Sequence, residues 1–136
     1  MNIVLDTNCL IMSISPRSIY RSVWQVFLNG GYTLCISNEI VEEYAEVLAR
    51  NISPRVSEAI MYALLTRPNI MRKDPHFSFG LIEADRDDNK FVDCAIATNA
   101  RCIVSEDKHF QVLESIPFPK VEVMGIDEFR TLCLTL

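Results

Sequence analysis

Four carboxylates stand where the chain has physical reason to hold them together. Asp6 closes an apolar run, Asn2 to Leu5; Asp107 lies three residues beyond another, Cys102 to Val104; Glu43 and Asp88 fall on helical patterns. At about 100° per residue, Glu39, Glu42 and Glu46 share an outward side, whereas Glu43 lies in the row of Ile40 and Val47, at the edge of the apolar face. The same count sets Asp88 over Phe91, Val92 and Ala95 and turns Asp93 to the opposite side. Desolvated carboxylates at short range raise one another's pKa values and oppose folding unless a cation neutralises them. An oxygen-only cluster suits Mg²⁺ or Mn²⁺, ions that keep waters, bind phosphate oxygens and support phosphodiester hydrolysis.

Taken singly, each acid has an ordinary use. Asp88 and Asp107 are good helix caps, Asp6 can end a strand in a turn, and Glu43 can pack its stem while its head stays in water. Only the joint arrangement favours a site. His76 and His109 have no His, Cys or Asp partner at ligand spacing and are expected at the surface or its boundary. The basic residues are scattered; Lys90 and Lys108, beside the acids, are the ones placed to touch phosphate.

The elements that must position these residues follow from the apolar pattern. Asn2 to Leu5 is too short for a helix and reads as a buried parallel strand, with a renewed apolar run, Cys9 to Met12, after it. Pro16 opens a helix carrying Ile19, Tyr20, Val23, Trp24, Val26 and Phe27, and Gly30-Gly31 stops it. Tyr32 to Ile36 is a second strand feeding through Ser37-Asn38 into the helix of Glu43. A further helix runs from Pro54 to before Pro68, and Asn69 to Ile82 shows no clear pattern. The helix from Asp88, strands at Cys102 to Val104 and Val121 to Met124, and a last helix, Ile126 to Leu132, complete an alternating order. This predicts an α/β fold, a three-layer α/β/α sandwich around a central, mainly parallel sheet, with ligands at the sheet's carboxyl edge.

Length and composition bound the function. The 136 residues, 49% hydrophobic and 23% charged, are expected to form one domain, residues 1–136. A net charge of −5 without a basic tract excludes a protein that coats nucleic acid non-specifically. No apolar run approaches the roughly 18 residues of a membrane span, so neither anchor nor signal peptide is expected. Five cysteines without CxxC spacing read as reduced core residues and point to the cytoplasm. The sequon Asn51-Ile52-Ser53 before Pro54 reads as a turn, and Cys133-Leu134-Thr135-Leu136 as a frayed helix end rather than a lipidation signal.

Asp6-Thr7-Asn8 closing the first strand, Ser37-x-x-Ile40-x-x-Glu43-Tyr44 with Val47-Leu48, Asp87-Asp88-Asn89-Lys90-Phe91, and Val104-Ser105-x-Asp107-Lys108 together resemble PIN-domain nucleases. Within that family the chain is most similar to the toxin components of toxin–antitoxin systems, the relatives of VapC toxins, over nearly its whole length. The resemblance implies a Mg²⁺- or Mn²⁺-dependent ribonuclease, with Asp6, Glu43, Asp88 and Asp107 as the metal-binding and catalytic acids. It further implies hydrogen-bonding support from Asn8 and Ser105, second-tier site roles for Thr7 and Asp93, and a small antitoxin as partner to the RNA-cleaving chain. Asp85, Asp87, Asp88 and Asp93 lie so close that the third acid is open. Two positions depart from the family: Ser105 stands for its usual Thr and keeps the hydroxyl, and Glu106 stands for its usual Gly. The extra charge of Glu106 either weakens RNA approach or supplies an outer-shell ligand.

Two rivals stay in view. A non-catalytic PIN-like domain that binds RNA or protein is disfavoured by the presence of all four acids. An enzyme or receiver domain phosphorylated on Asp6 would need a second acid nearby in a pattern that Leu5 and Asn8 do not supply. Tyr20, Trp24 and Phe27, at helical spacing, serve either a core or a contact with a partner or a second copy, so a homodimer is open.

Overall fold

In the computed structural model, which describes residues 1–136, the short apolar runs become the strands of one sheet. These are β1 (Asn2–Leu5), β2 (Thr33–Ile36), β3 (Ile70–Arg72), β4 (Cys102–Val104) and β5 (Val123–Met124), in the order β3-β2-β1-β4-β5. Every neighbouring pair is parallel, so the sheet is wholly rather than mainly parallel. Ile3, Val4 and Leu5 are completely buried, as the central strand of a sheet covered on both faces requires.

Six helices flank it in an α/β/α sandwich: α1 (Thr7–Ile14), α2 (Arg21–Leu28), α3 (Asn38–Asn51), α4 (Pro54–Thr66), α5 (Asn89–Ala97) and α6 (Ile126–Cys133). Short 3₁₀ turns at Arg86–Asp88 and Lys108–Ser115 lead into α5 and follow β4. The core is one cluster of 32 buried apolar residues, which includes all five cysteines, each of them free. No helix is long and apolar enough to cross a membrane.

Several elements differ from expectation for identifiable reasons. The run after Asp6 is already a helix, α1, which shows no clean amphipathic stripe because its apolar residues spread around most of its surface. The next helix starts at Arg21, not Pro16. The Ser18 hydroxyl accepts the Tyr20 N–H at 3.0 Å and the Ser18 carbonyl accepts the Arg21 N–H at 3.2 Å, a local turn that competes with helix. Within the unpatterned stretch, Ile70–Arg72 pairs with β2 as the edge strand, and the last strand shrinks to Val123–Met124. Trp24 and Phe27, 4% and 0% exposed, face the core with ring centroids 5.2 Å apart, so this face is used within the chain.

Candidate acidic site

Strand register sets the first two residues. Leu5 lies opposite Val104 across the parallel pair β1–β4, so Asp6 and Ser105 leave the sheet side by side at its carboxyl edge. The sheet order also reverses here: β2 and β3 extend to one side of β1, β4 and β5 to the other, which opens a crevice between diverging loops. Asp6 is 6% exposed and caps α1, its Oδ1 accepting the Cys9 N–H at 2.8 Å while Oδ2 accepts the Ser105 hydroxyl. Ser105 Oγ in turn accepts the Asp107 N–H at 3.0 Å, so one hydroxyl orients two of the four acids. Burial pushes the Asp6 carboxyl up and the charge of Asp107 adds to this, against the hydrogen bonds from Ser105 and Cys9.

Glu43 arrives from α3, whose N-terminus is capped by Ser37. Tyr44 is fully buried and its hydroxyl donates to the Leu5 carbonyl at 2.5 Å, which ties α3 to the end of β1 and carries Glu43 to the same edge. Glu43 Oε2 accepts the Thr7 hydroxyl, and Oε1 lies 2.7 Å from Lys90 Nζ. Lys90 also meets Asp87 Oδ1 at 2.8 Å, with its side chain only 8% exposed. Burial alone would lower the Lys90 pKa, but Asp87 and Glu43 outweigh it and hold the ammonium above its ordinary value; Lys90 holds Asp87 below its own. Expected against phosphate, Lys90 instead spends its charge inside the protein, whereas Lys108 is exposed.

Asp88 precedes α5 but makes no capping hydrogen bond, unlike Asp107, which accepts the His109 N–H at 2.9 Å. The helix-cap use therefore describes Asp107 and not Asp88. Asp88 Oδ2 has neither solvent nor a hydrogen-bond partner. Burial, then the charges of Asp85 and Asp107, push the Asp88 carboxyl up to about 6. Asp6, Glu43, Asp85, Asp88 and Asp107 line one cavity of about 290 Å³, with Arg50 as the single basic residue in its wall and Thr7 and Asn8 at its side. Asp85 thus joins Asp88 in the cavity, while Asp87 turns outward to Lys90.

His109, expected at the surface or its boundary without a partner, is half-buried against three carboxylates. Its Nδ1 lies 3.4 Å from Asp107, 3.6 Å from Asp88 and 3.9 Å from Asp85. The sequence held only a partial signal, Asp107 two residues before His109; Asp85 and Asp88 lie 24 and 21 positions away along the chain.

Asp93 stands apart from the cavity. The outward direction counted for it is corrected by its burial, 7% exposed, beneath the chain that returns over α5. There Asp93 Oδ1 accepts the Phe79 N–H at 3.1 Å, and Asn89 exchanges hydrogen bonds of 2.9 Å in both directions with the Ile82 backbone. Glu106 faces away as well: its carboxylate accepts the Ile126 N–H at 3.2 Å, satisfying a donor at the start of α6. The cavity gathers five carboxylates against one guanidinium and leaves a buried oxygen unpaired, chemistry that fits a divalent cation, and the ligating atoms that lie within 4.8 Å of one another are those of Asp85, Asp88 and His109.

The comparisons with known proteins agree with this architecture. Among solved structures, the chain resembles VapBC2 from Rickettsia felis bound to a DNA fragment from its promoter, with a TM-score of 0.63 and 18% sequence identity. The match covers 92% of this chain and 98% of the other. No curated protein matches the sequence. The family model of the PIN domain matches residues 2–109, which hold β1 to β4 and every acid of the cavity. By that match, over the sheet order and acidic crevice described above, the chain belongs to the PIN-domain family.

Proposed function

We propose that this chain is a metal-dependent endoribonuclease, the toxin of a toxin–antitoxin pair, with Asp6, Glu43, Asp88 and Asp107 as its metal-holding and catalytic acids. The observation that carries this is the gathering of those acids, from four separate stretches of chain, around one small cavity at the carboxyl edge of a parallel sheet. Such a concentration of charge costs stability in the absence of a cation, and sites of this kind are kept for what they bind. Bound Mg²⁺ or Mn²⁺ would supply a water of lowered pKa and neutralise charge on the phosphate.

The protein's own groups have distinct tasks in this reading. Ser105 orients Asp6 and the Asp107 backbone; Thr7 and Lys90 between them hold both oxygens of Glu43. In this reading Asn8, exposed at the cavity wall, gives hydrogen-bonding support and Lys108, exposed beside Asp107, meets the RNA backbone. Asp93 acts only through the loop it anchors. The likeness to VapBC2 supports an antitoxin as partner; in this reading it is a small protein that inserts a segment near the acidic cavity. Five free, buried cysteines suit a reducing cytoplasm.

The test compares the purified chain with Asp6→Asn on a panel of structured and unstructured RNAs in Mn²⁺, Mg²⁺ or EDTA. Cutting by the parent in metal, and none in EDTA or by the variant, is expected. Failure to cut any RNA, together with no Mn²⁺ binding by titration, would replace the enzyme with a non-catalytic PIN-like binding domain.

A further inference from the structure

We infer that the metal-holding set extends beyond the four acids to His109 Nδ1 and Asp85, which makes this a mixed nitrogen–oxygen site that selects Mn²⁺ over Mg²⁺. The inference rests on the reading of the cavity as a metal site and specifies which ion that site favours. One ligating atom from each of Asp85, Asp88 and His109 lies within 4.8 Å of the other two. Donors about 2.1 Å from a shared ion sit about 3 to 4 Å apart, the range of the 3.4, 3.6 and 3.9 Å separations from His109 Nδ1 to the three carboxylates. The same separations are too long for a charged imidazole hydrogen-bonded to carboxylate, which closes to about 2.8 Å.

Burial provides an independent reason. His109 Nδ1 and Asp88 Oδ2 both lack solvent and lack any hydrogen-bond partner, although they face each other. Proteins rarely leave two buried polar atoms unpaired at one spot, and a cation between them satisfies both. The backbone that carries the ring is held in place: the main-chain N–H of His109 donates to Asp107, and the next residue, Phe110, is fully buried edge-on to Phe91 with centroids 6.4 Å apart.

An imidazole nitrogen changes the metal preference. Mg²⁺ takes oxygen donors almost exclusively, while affinity for nitrogen-containing sites rises along the first-row divalent ions that begin with Mn²⁺. With the unmodified chain, Mn²⁺ is titrated by the loss of its free EPR signal, Mg²⁺ by competition, and bound Mn²⁺ is examined by pulsed EPR for ¹⁴N coupling. The expected result is Mn²⁺ bound at least about tenfold more tightly than Mg²⁺, with a ¹⁴N coupling of imidazole type. His109→Gln should abolish that coupling and weaken Mn²⁺ about tenfold while changing Mg²⁺ little; Asp85→Asn should weaken both ions. Mn²⁺ binding to the unmodified chain without ¹⁴N coupling would overturn the inference and leave the four-acid site standing. No Mn²⁺ binding at all would overturn both. Because the coupling is read on the unmodified chain, the result does not depend on how well the variants fold.

Discussion

Replacing Asp88 by Asn removes one charge from the most crowded part of the cavity, and it should stabilise the metal-free protein. The Asp88 carboxyl stands at about 6 against an ordinary 3.8, through burial and the charges of Asp85 and Asp107. A carboxyl raised in this way contributes stability that is fully present below the unfolded value of 3.8 and is lost as pH rises through about 6. About two pH units at about 1.4 kcal/mol each give about 3 kcal/mol lost by neutral pH. The side chain is only 15% exposed, so solvent screens little of this. Asp85 and Asp107 share the same field, and we expect Asp88→Asn to recover roughly half to all of that sum, or roughly 5–10 °C in Tm. The assay is thermal unfolding of parent and variant in EDTA between pH 4 and 7.5, repeated in Mn²⁺. The variant's advantage should be largest at pH 7.5 and shrink towards pH 4. In Mn²⁺ the order should reverse, because the parent alone keeps the full ligand set and gains the binding energy. No gain in EDTA at pH 7.5, or a gain that does not change with pH, would refute the account of Asp88 as a carboxylate destabilised by its neighbours.

Three further outcomes follow from named contacts. Lys90→Met leaves Glu43 without its cation and should cost about 1–3 kcal/mol in urea unfolding, less than a fully buried pair because Asp87 is exposed. Ser105→Ala removes the hydroxyl that Asp6 accepts and that receives the Asp107 N–H; about 1–2 kcal/mol should be lost in thermal unfolding, with Ser105→Thr restoring it. Glu106→Ala should cost roughly 0.5–1 kcal/mol through the start of α6 while leaving Mn²⁺ affinity unchanged, and a fall in affinity beyond about threefold would assign Glu106 to the metal site after all.

Much of this protein is legible along the chain because its causes are local. Runs such as Ile3-Val4-Leu5 are too short and too apolar for anything but buried strands, and the 3.6-residue period of α3 separates the exposed Glu39, Glu42 and Glu46 from Glu43. Alternation of the two element types then requires a parallel sheet with a binding edge, which brings Asp6 and Asp107 to one place through the ends of two strands. Where periodicity is weak, as in the eight residues of α1 or the three of β3, the sequence carries little signal and packing decides. The side chains around the acids depend on contacts between residues far apart in the chain. Lys90 turns inward because Glu43, 47 positions earlier, and Asp87 offer two carboxylates to one ammonium. Asp93 is buried because the return of residues 79–82 over α5 covers it and offers a backbone donor. His109 meets Asp85 and Asp88 only because β4 lies beside β1 and sets its following turn against the start of α5. Residue type and spacing settle which groups ionise, cap or pack; which charges share a cavity follows from the folded arrangement, since Coulomb energy and desolvation depend on distance through space and not along the chain.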